Sequence, residues 1–138
     1  MTEIVYRGDW PVDVKKTVGA CLKPYVNLLP GWCRILYLRF ESNSDDSTAT
    51  IRVCYDNRWA SVRISPDWLE ELPDDRSRVL LHEIAHIHIQ PMRTIFVDAT
   101  AGMDEQFRDF AWERFKEAWE GAVEDLAWAF HSAVGLPK

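Results

Sequence analysis

After Trp10-Pro11, apolar positions at Val14, Val18, Cys21, Leu22, Tyr25 and Leu29 recur at helical spacing and predict an amphipathic helix over 11–29. Pro24 interrupts the pattern, so a kink or early end is expected there, and Pro30-Gly31 closes the element. Residues 33–40, 49–55 and 59–65 are rich in β-branched and aromatic side chains and bounded by turn formers, which predicts three strands. A polar, acidic loop over 41–48 joins the first two.

If the second and third strands form a hairpin with Asn57-Arg58 at its tip, Tyr55 faces Ala60, Val53 faces Val62 and Ile51 faces Ile64. That register puts every apolar pair on one side and sets Arg52 opposite Arg63 on the other, an unfavourable pair unless solvent or a carboxylate separates them.

Ser65-Pro66-Asp67 is a helix-start signal and predicts a short helix over 66–72. Pro73-Asp74-Asp75 starts the next helix, expected to run to Ile89 and stop at Gln90-Pro91. Residues 92–103 then read as a connecting loop. From Asp104 to Ala133, the recurrence of Phe107, Phe110, Ala111, Phe115, Ala118, Ala122, Leu126 and Phe130 predicts a long amphipathic helix ended by Gly135 and Pro137. The fold class expected is α+β: one domain over 1–138, with an N-terminal helix, a small three-stranded sheet and two C-terminal helices.

Composition narrows the function classes. The 138 residues suit one compact domain, and 47% hydrophobic with 28% charged residues is a globular rather than a disordered or fibrous composition. The net charge of −6 argues against a non-specific nucleic-acid binder, and although a local basic patch is compatible with it, no nucleic-acid partner is expected. No signal-peptide core opens the chain and no stretch is apolar enough to span a membrane, so a cytoplasmic protein with no membrane partner is expected. Cys21, Cys33 and Cys54 show no C-x-x-C pairing and read as reduced, packed thiols. Seven tryptophans are many for this length, and the default expectation is that they supply buried area to a small core.

The chemistry lies in LLHEIAHIHI, where His82-Glu83-Ile84-Ala85-His86 forms an H-E-x-x-H motif. Residues four apart share a helix face, so both imidazoles can reach one metal ion with Glu83 beside them to hold a water. Zinc hydrolases need this arrangement: nitrogen and oxygen ligands in tetrahedral geometry, with one position left for water. His88, about 200° round the helix from His86, is excluded as a ligand.

A third protein ligand is required. Asp98, Asp104 and Glu105 are near in sequence, and Glu120, Glu124, Glu117, Asp125 and His131 lie on the last helix. Glu120 falls on the shoulder of that helix's apolar stripe beside Val123 and Ala127, Asp125 on the opposite shoulder, and Glu124 and Glu117 further round. His131 shares the side of Glu120 but lies about 16 Å along the axis, so at most one of them is a ligand.

The order of helix, three strands, H-E-x-x-H helix and a Glu on a following helix resembles the zincin-like metallopeptidases of gluzincin type. It is closest to the small metallopeptidases common in phage and prophage genomes. The matching segments are LLHEIAHIHIQPM (80–92) and WEGAVEDLAWAF (119–130). The resemblance implies Zn2+ held by His82, His86 and Glu120, with Glu124 orienting a ligand imidazole and Glu83 as general base in peptide-bond hydrolysis. It also implies a peptide or protein substrate held against a strand beside the active helix, and the third strand, 59–65, is the expected edge. Trp59 and Trp68 are the expected groove aromatics near it. A non-proteolytic zinc-binding interaction module is the alternative, and a non-peptidase hydrolase a third.

Overall fold

The structure is a computed structural model describing residues 1–42 and 47–134. The chain forms one small α+β domain with a four-stranded mixed sheet and three helices. The strands are β1 (Glu3–Arg7), β2 (Ile35–Phe40), β3 (Ala49–Cys54) and β4 (Trp59–Ile64), in spatial order β1-β2-β4-β3. The helices are α1 (Val12–Leu22), α2 (Pro73–Thr100) and α3 (Glu105–Ala133). Among the described residues no helix is long and apolar enough to cross a membrane.

A fourth strand, β1, therefore corrects the expected three. EIVYR carries the β-formers Ile4, Val5 and Tyr6 but is only five residues long, too short a run to stand as a strand signal by itself. It is a strand because β2, thirty residues on, lies parallel beside it, with Ile4 against Leu36 and Tyr6 against Leu38. Thr2 Oγ1 donates to the Cys33 carbonyl at 2.6 Å and helps fix the start of this pairing.

The expected edge strand is also corrected. β4 is central, parallel to β2 on one side and antiparallel to β3 on the other, so its backbone groups are taken up on both sides and β3 is the edge. Ala60, Val62 and Ile64 of β4 are accordingly almost fully buried. The hairpin register slips by two residues from expectation: Val53 pairs with Ala60, Ile51 with Val62, and Arg52 with Ser61 instead of Arg63. A slip of two preserves which side chains face inward, which is why the apolar pattern could not distinguish the registers. The turn decides it, because four residues, 55–58, separate Cys54 from Trp59 and Arg58 enters the left-handed region at φ 59°.

α1 buries Val14, Val18 and Leu22 on the sheet, then yields at Lys23-Pro24 to a 3-10 helix, Lys23–Leu28, as the expected break required. The helix start at Ser65 is likewise as expected: its hydroxyl accepts from the Asp67 amide, and a 3-10 turn, Pro66–Glu70, follows. That turn carries Trp68 into the core, where its indole Nε1 donates to the Arg76 carbonyl.

α2 does not stop at Ile89. It runs through Pro91 to Thr100, so the loop expected over 92–103 is helical for most of its length. Proline removes the donor that would meet the Ile87 carbonyl and normally breaks a helix. Here packing outweighs that loss: Phe96 stacks on Phe115 of α3 with centroids 4.3 Å apart and also meets Trp112. α3 starts at Asp104, whose carboxylate accepts from the Phe107 amide. Its buried line is Trp119, Val123 and Ala127, rotated from the expected stripe so that Ala122 is exposed. The central part of the expected 41–48 loop and the terminators Gly135 and Pro137 lie outside the described residues.

One hydrophobic core joins the inner faces of these elements, with Val18, Leu36, Leu38, Val62, Ile64, Leu81, Ile84 and Val123 among its members. The core holds the first half of α2 against both the sheet and α3.

Candidate metal centre

The H-E-x-x-H segment lies in the best-anchored part of α2, between buried Leu80-Leu81 and buried Ile84, Ala85 and Ile87. These apolar residues face the core, so the histidines are turned along the seam between α2 and α3. There His82 Nε2 and His86 Nε2 are 3.2 Å apart. Two nitrogens at about 2.05 Å from one tetrahedral zinc would stand about 3.3 Å apart, so the pair already has the required spacing. Glu120 completes the group: the ligand atoms of His82, His86 and Glu120 all lie within 4.8 Å of one another. Of the residues proposed as third ligand, Glu120 is the one brought into the cluster.

Glu124, one turn later on α3, takes a different position. Its Oε2 lies 3.2 Å from His82 Nδ1, so the ring donates its Nδ1 proton to the carboxylate and presents the Nε2 lone pair to His86 and Glu120. His86 is held by packing instead. Its ring lies 4.8 Å from the buried Trp119 ring, while its Nδ1 is buried with no hydrogen-bond partner. Burial, with His82 and Arg93 nearby, pushes the His86 pKa down to about 4, so its imidazole is neutral and fit to ligate at neutral pH.

Glu83 is 8% exposed. Burial first, and the Glu120 carboxylate second, push its pKa up to about 8. A carboxyl placed beside ligand groups with its proton affinity raised toward neutrality has the properties of a general base and acid.

The remaining candidates are accounted for elsewhere. His88 turns away, to the Leu28 carbonyl and the Phe130 ring, as its angular position required. Asp104 is spent on the cap of α3. Asp98, twelve residues past His86, lies about 18 Å along α2. Glu105, Glu117 and Asp125 are exposed and outside the cluster.

A groove of about 480 Å³ runs from the His82-Glu83 side of the cluster between the start of β3, the first half of α2 and the last half of α3. Trp128, with Arg78 over its ring at 5.0 Å, and His131 line its far end. The aromatic of this groove is thus Trp128. Of the two expected there, Trp68 is wholly buried and Trp59 lies on the opposite face of the sheet beside Tyr37. Arg78 had no local signal, and His131 was marked only as a candidate ligand, because their place in the groove depends on how α2 and α3 cross.

No family model, curated protein or solved structure matches the chain.

Proposed function

We propose that the protein is a zinc-dependent metallopeptidase of zincin-like, gluzincin type, with His82, His86 and Glu120 as metal ligands and Glu83 as general base. The observation that carries this reading is the 3.2 Å approach of the two Nε2 atoms, joined by the Glu120 carboxylate from a different helix. The donor set also fits: two imidazoles and a carboxylate leave a fourth tetrahedral position open, and Glu120 is solvent-exposed, so water has access.

A bound zinc supplies Lewis acidity toward a carbonyl oxygen and lowers the pKa of water. Glu83, next to His82 on the same helix and buried, would accept the proton of the attacking water and return it to the leaving amine. Glu124 keeps the His82 ring in one tautomer. The substrate is an extended peptide lying in the groove alongside the edge strand β3, whose first residue, Ala49, lines that groove. Arg78 and His131 at the far end offer donors to peptide carbonyls. A reducing compartment, the cytoplasm, goes with three free cysteines.

The test is metal content together with hydrolysis of a fluorogenic peptide library. The purified protein should hold close to one equivalent of zinc, and Glu83→Gln should retain the metal while losing hydrolysis. Less than about half an equivalent, or full activity in the variant, overturns the reading. The alternative, a non-proteolytic zinc-stapled interaction module, draws on the exposed Met92, Ile95, Phe107 and Phe110 beyond the site. It requires zinc binding with no hydrolysis by the wild type, and unfolding on chelation.

A further inference from the structure

The sheet face away from the helices concentrates positive charge in a chain whose net charge is −6. Arg7, Arg39 and Arg63 stand in one row across β1, β2 and β4, each directly paired with the next. The neighbouring row contains Tyr37, Ser61 and Arg52, and the row after that contains Trp59, with Glu3 at its β1 end. Like charges placed directly opposite on a sheet are destabilising, so this row is a cost that the fold itself does not require. Among the described residues one carboxylate offsets it: Glu41 pairs with Arg63 at 2.9 Å.

The aromatics are interleaved with the arginines. Arg7 Cζ lies 4.2 Å from the centre of the Tyr37 ring, and Arg52 Cζ lies 5.9 Å from that of Trp59. Tyr37 and Trp59 meet edge-on, 6.0 Å apart. Such cation–π contacts restrain the arginine side chains without using up their N–H donors. Together these groups line a shallow, open depression of about 760 Å³. The core cluster unites the helices with the other face of the sheet, through Leu36, Leu38, Ala60, Val62 and Ile64.

We infer that this face binds single-stranded nucleic acid. Phosphates are the anions best matched by a row of guanidinium forks, and the Trp59 and Tyr37 rings beside them, set edge-on to each other, offer aromatic surface to unstacked bases. An acidic peptide would use the arginines but has no use for the aromatic pair, which is what decides between the two partners. A duplex would present its phosphates but not its base faces. The negative whole-chain charge does not oppose this local site, because at physiological salt charges beyond about 8 Å are largely screened. The inference stands apart from the metal centre and does not depend on it.

The experiment is fluorescence anisotropy with a labelled single-stranded ten-nucleotide DNA, titrated with the full chain at several salt concentrations. Unlabelled duplex and a ten-residue poly-glutamate serve as competitors. Saturable binding should weaken with salt at a log–log slope of about −2, reflecting Arg7, Arg39 and Arg52, which have no carboxylate partner among the described residues. The double variant Arg39→Ala/Arg52→Ala should bind at least about tenfold more weakly, with the slope reduced to about −0.7. Trp59→Ala should also weaken binding, with circular dichroism and zinc content unchanged in both variants. Absence of binding at about 100 µM protein, unchanged binding by the double variant, or indifference to Trp59→Ala overturns the inference. Competition by poly-glutamate equal to that by the oligonucleotide also overturns it and assigns the face to an acidic protein.

Discussion

Up to Ile89, α2 is sunk into the core: Leu81, Ile84 and Ile87 are almost fully buried, and Trp119 of α3 backs His86. Beyond Pro91 the same helix and the facing start of α3 leave Met92, Ile95, Val97, Phe107 and Phe110 largely exposed. What holds this second half is an aromatic stack of Phe96, Trp112 and Phe115, with Arg93 over Trp112 and Trp119. The difference teaches where rigidity is needed. The proposed metal site, two imidazoles and a carboxylate from separate helices, would need its side chains held within fractions of an ångström, and it lies in the half that shares the sheet's core.

The largest effect expected from breaking that comparison is chemical. Glu83→Gln in the buried half should lower peptide hydrolysis about 10²–10⁴-fold at unchanged zinc content, measured by initial rates and metal analysis. Next comes packing. Trp119→Ala should cost about 3–5 kcal/mol in denaturant unfolding and weaken zinc binding, because it opens a cavity behind His86. Phe96→Ala should cost less and leave zinc affinity unchanged; equal losses for the two variants would erase the contrast between the halves.

A third prediction separates two carboxylates on adjacent turns. Glu124→Ala, losing only the support of His82 Nδ1, should weaken zinc about 10–100-fold in competition with a chelator. Glu120→Ala should weaken it more, and the reverse order would exchange their roles.

The smallest effect expected is one of pH. In metal-free protein the Glu83 pKa is about 8 when folded against an ordinary 4.5, so the folded state holds its proton more tightly and loses stability as pH rises through that interval. His86, lowered from 6.5 to about 4, acts oppositely, losing its contribution as pH falls below 6.5. Between pH 6.5 and 8 Glu83 acts alone. The Tm of chelator-treated protein should fall across that window, and Glu83→Gln should flatten the fall.

Much of the local structure was legible in the residues. The break at Pro24, the cap at Ser65, the start at Pro73 and the i, i+4 histidines all follow from contacts within one or two turns, which neighbouring residues determine by themselves. Glu120 was legible as a helix-shoulder carboxylate, one of several. Pro91 misled because a strong local breaker was overridden by Phe96 on a helix face that Phe115 covers from a different segment.

By itself, then, the amino-acid sequence determined the α+β class, the start of α2, the long last helix and the pairing of His82 with His86. These depend on periodicity and capping, which act over a few residues. The tertiary structure alone decided that β1 joins the sheet, that β4 is central and β3 the edge, and that the hairpin closes two residues from the expected register. It alone brought Glu120 to the histidines, Glu124 to His82 Nδ1, Trp128 and His131 to the groove, and three arginines into one row. Each of these meetings joins residues far apart in the chain, and their positions follow from how whole elements share one core, a quantity that no short stretch of residues contains.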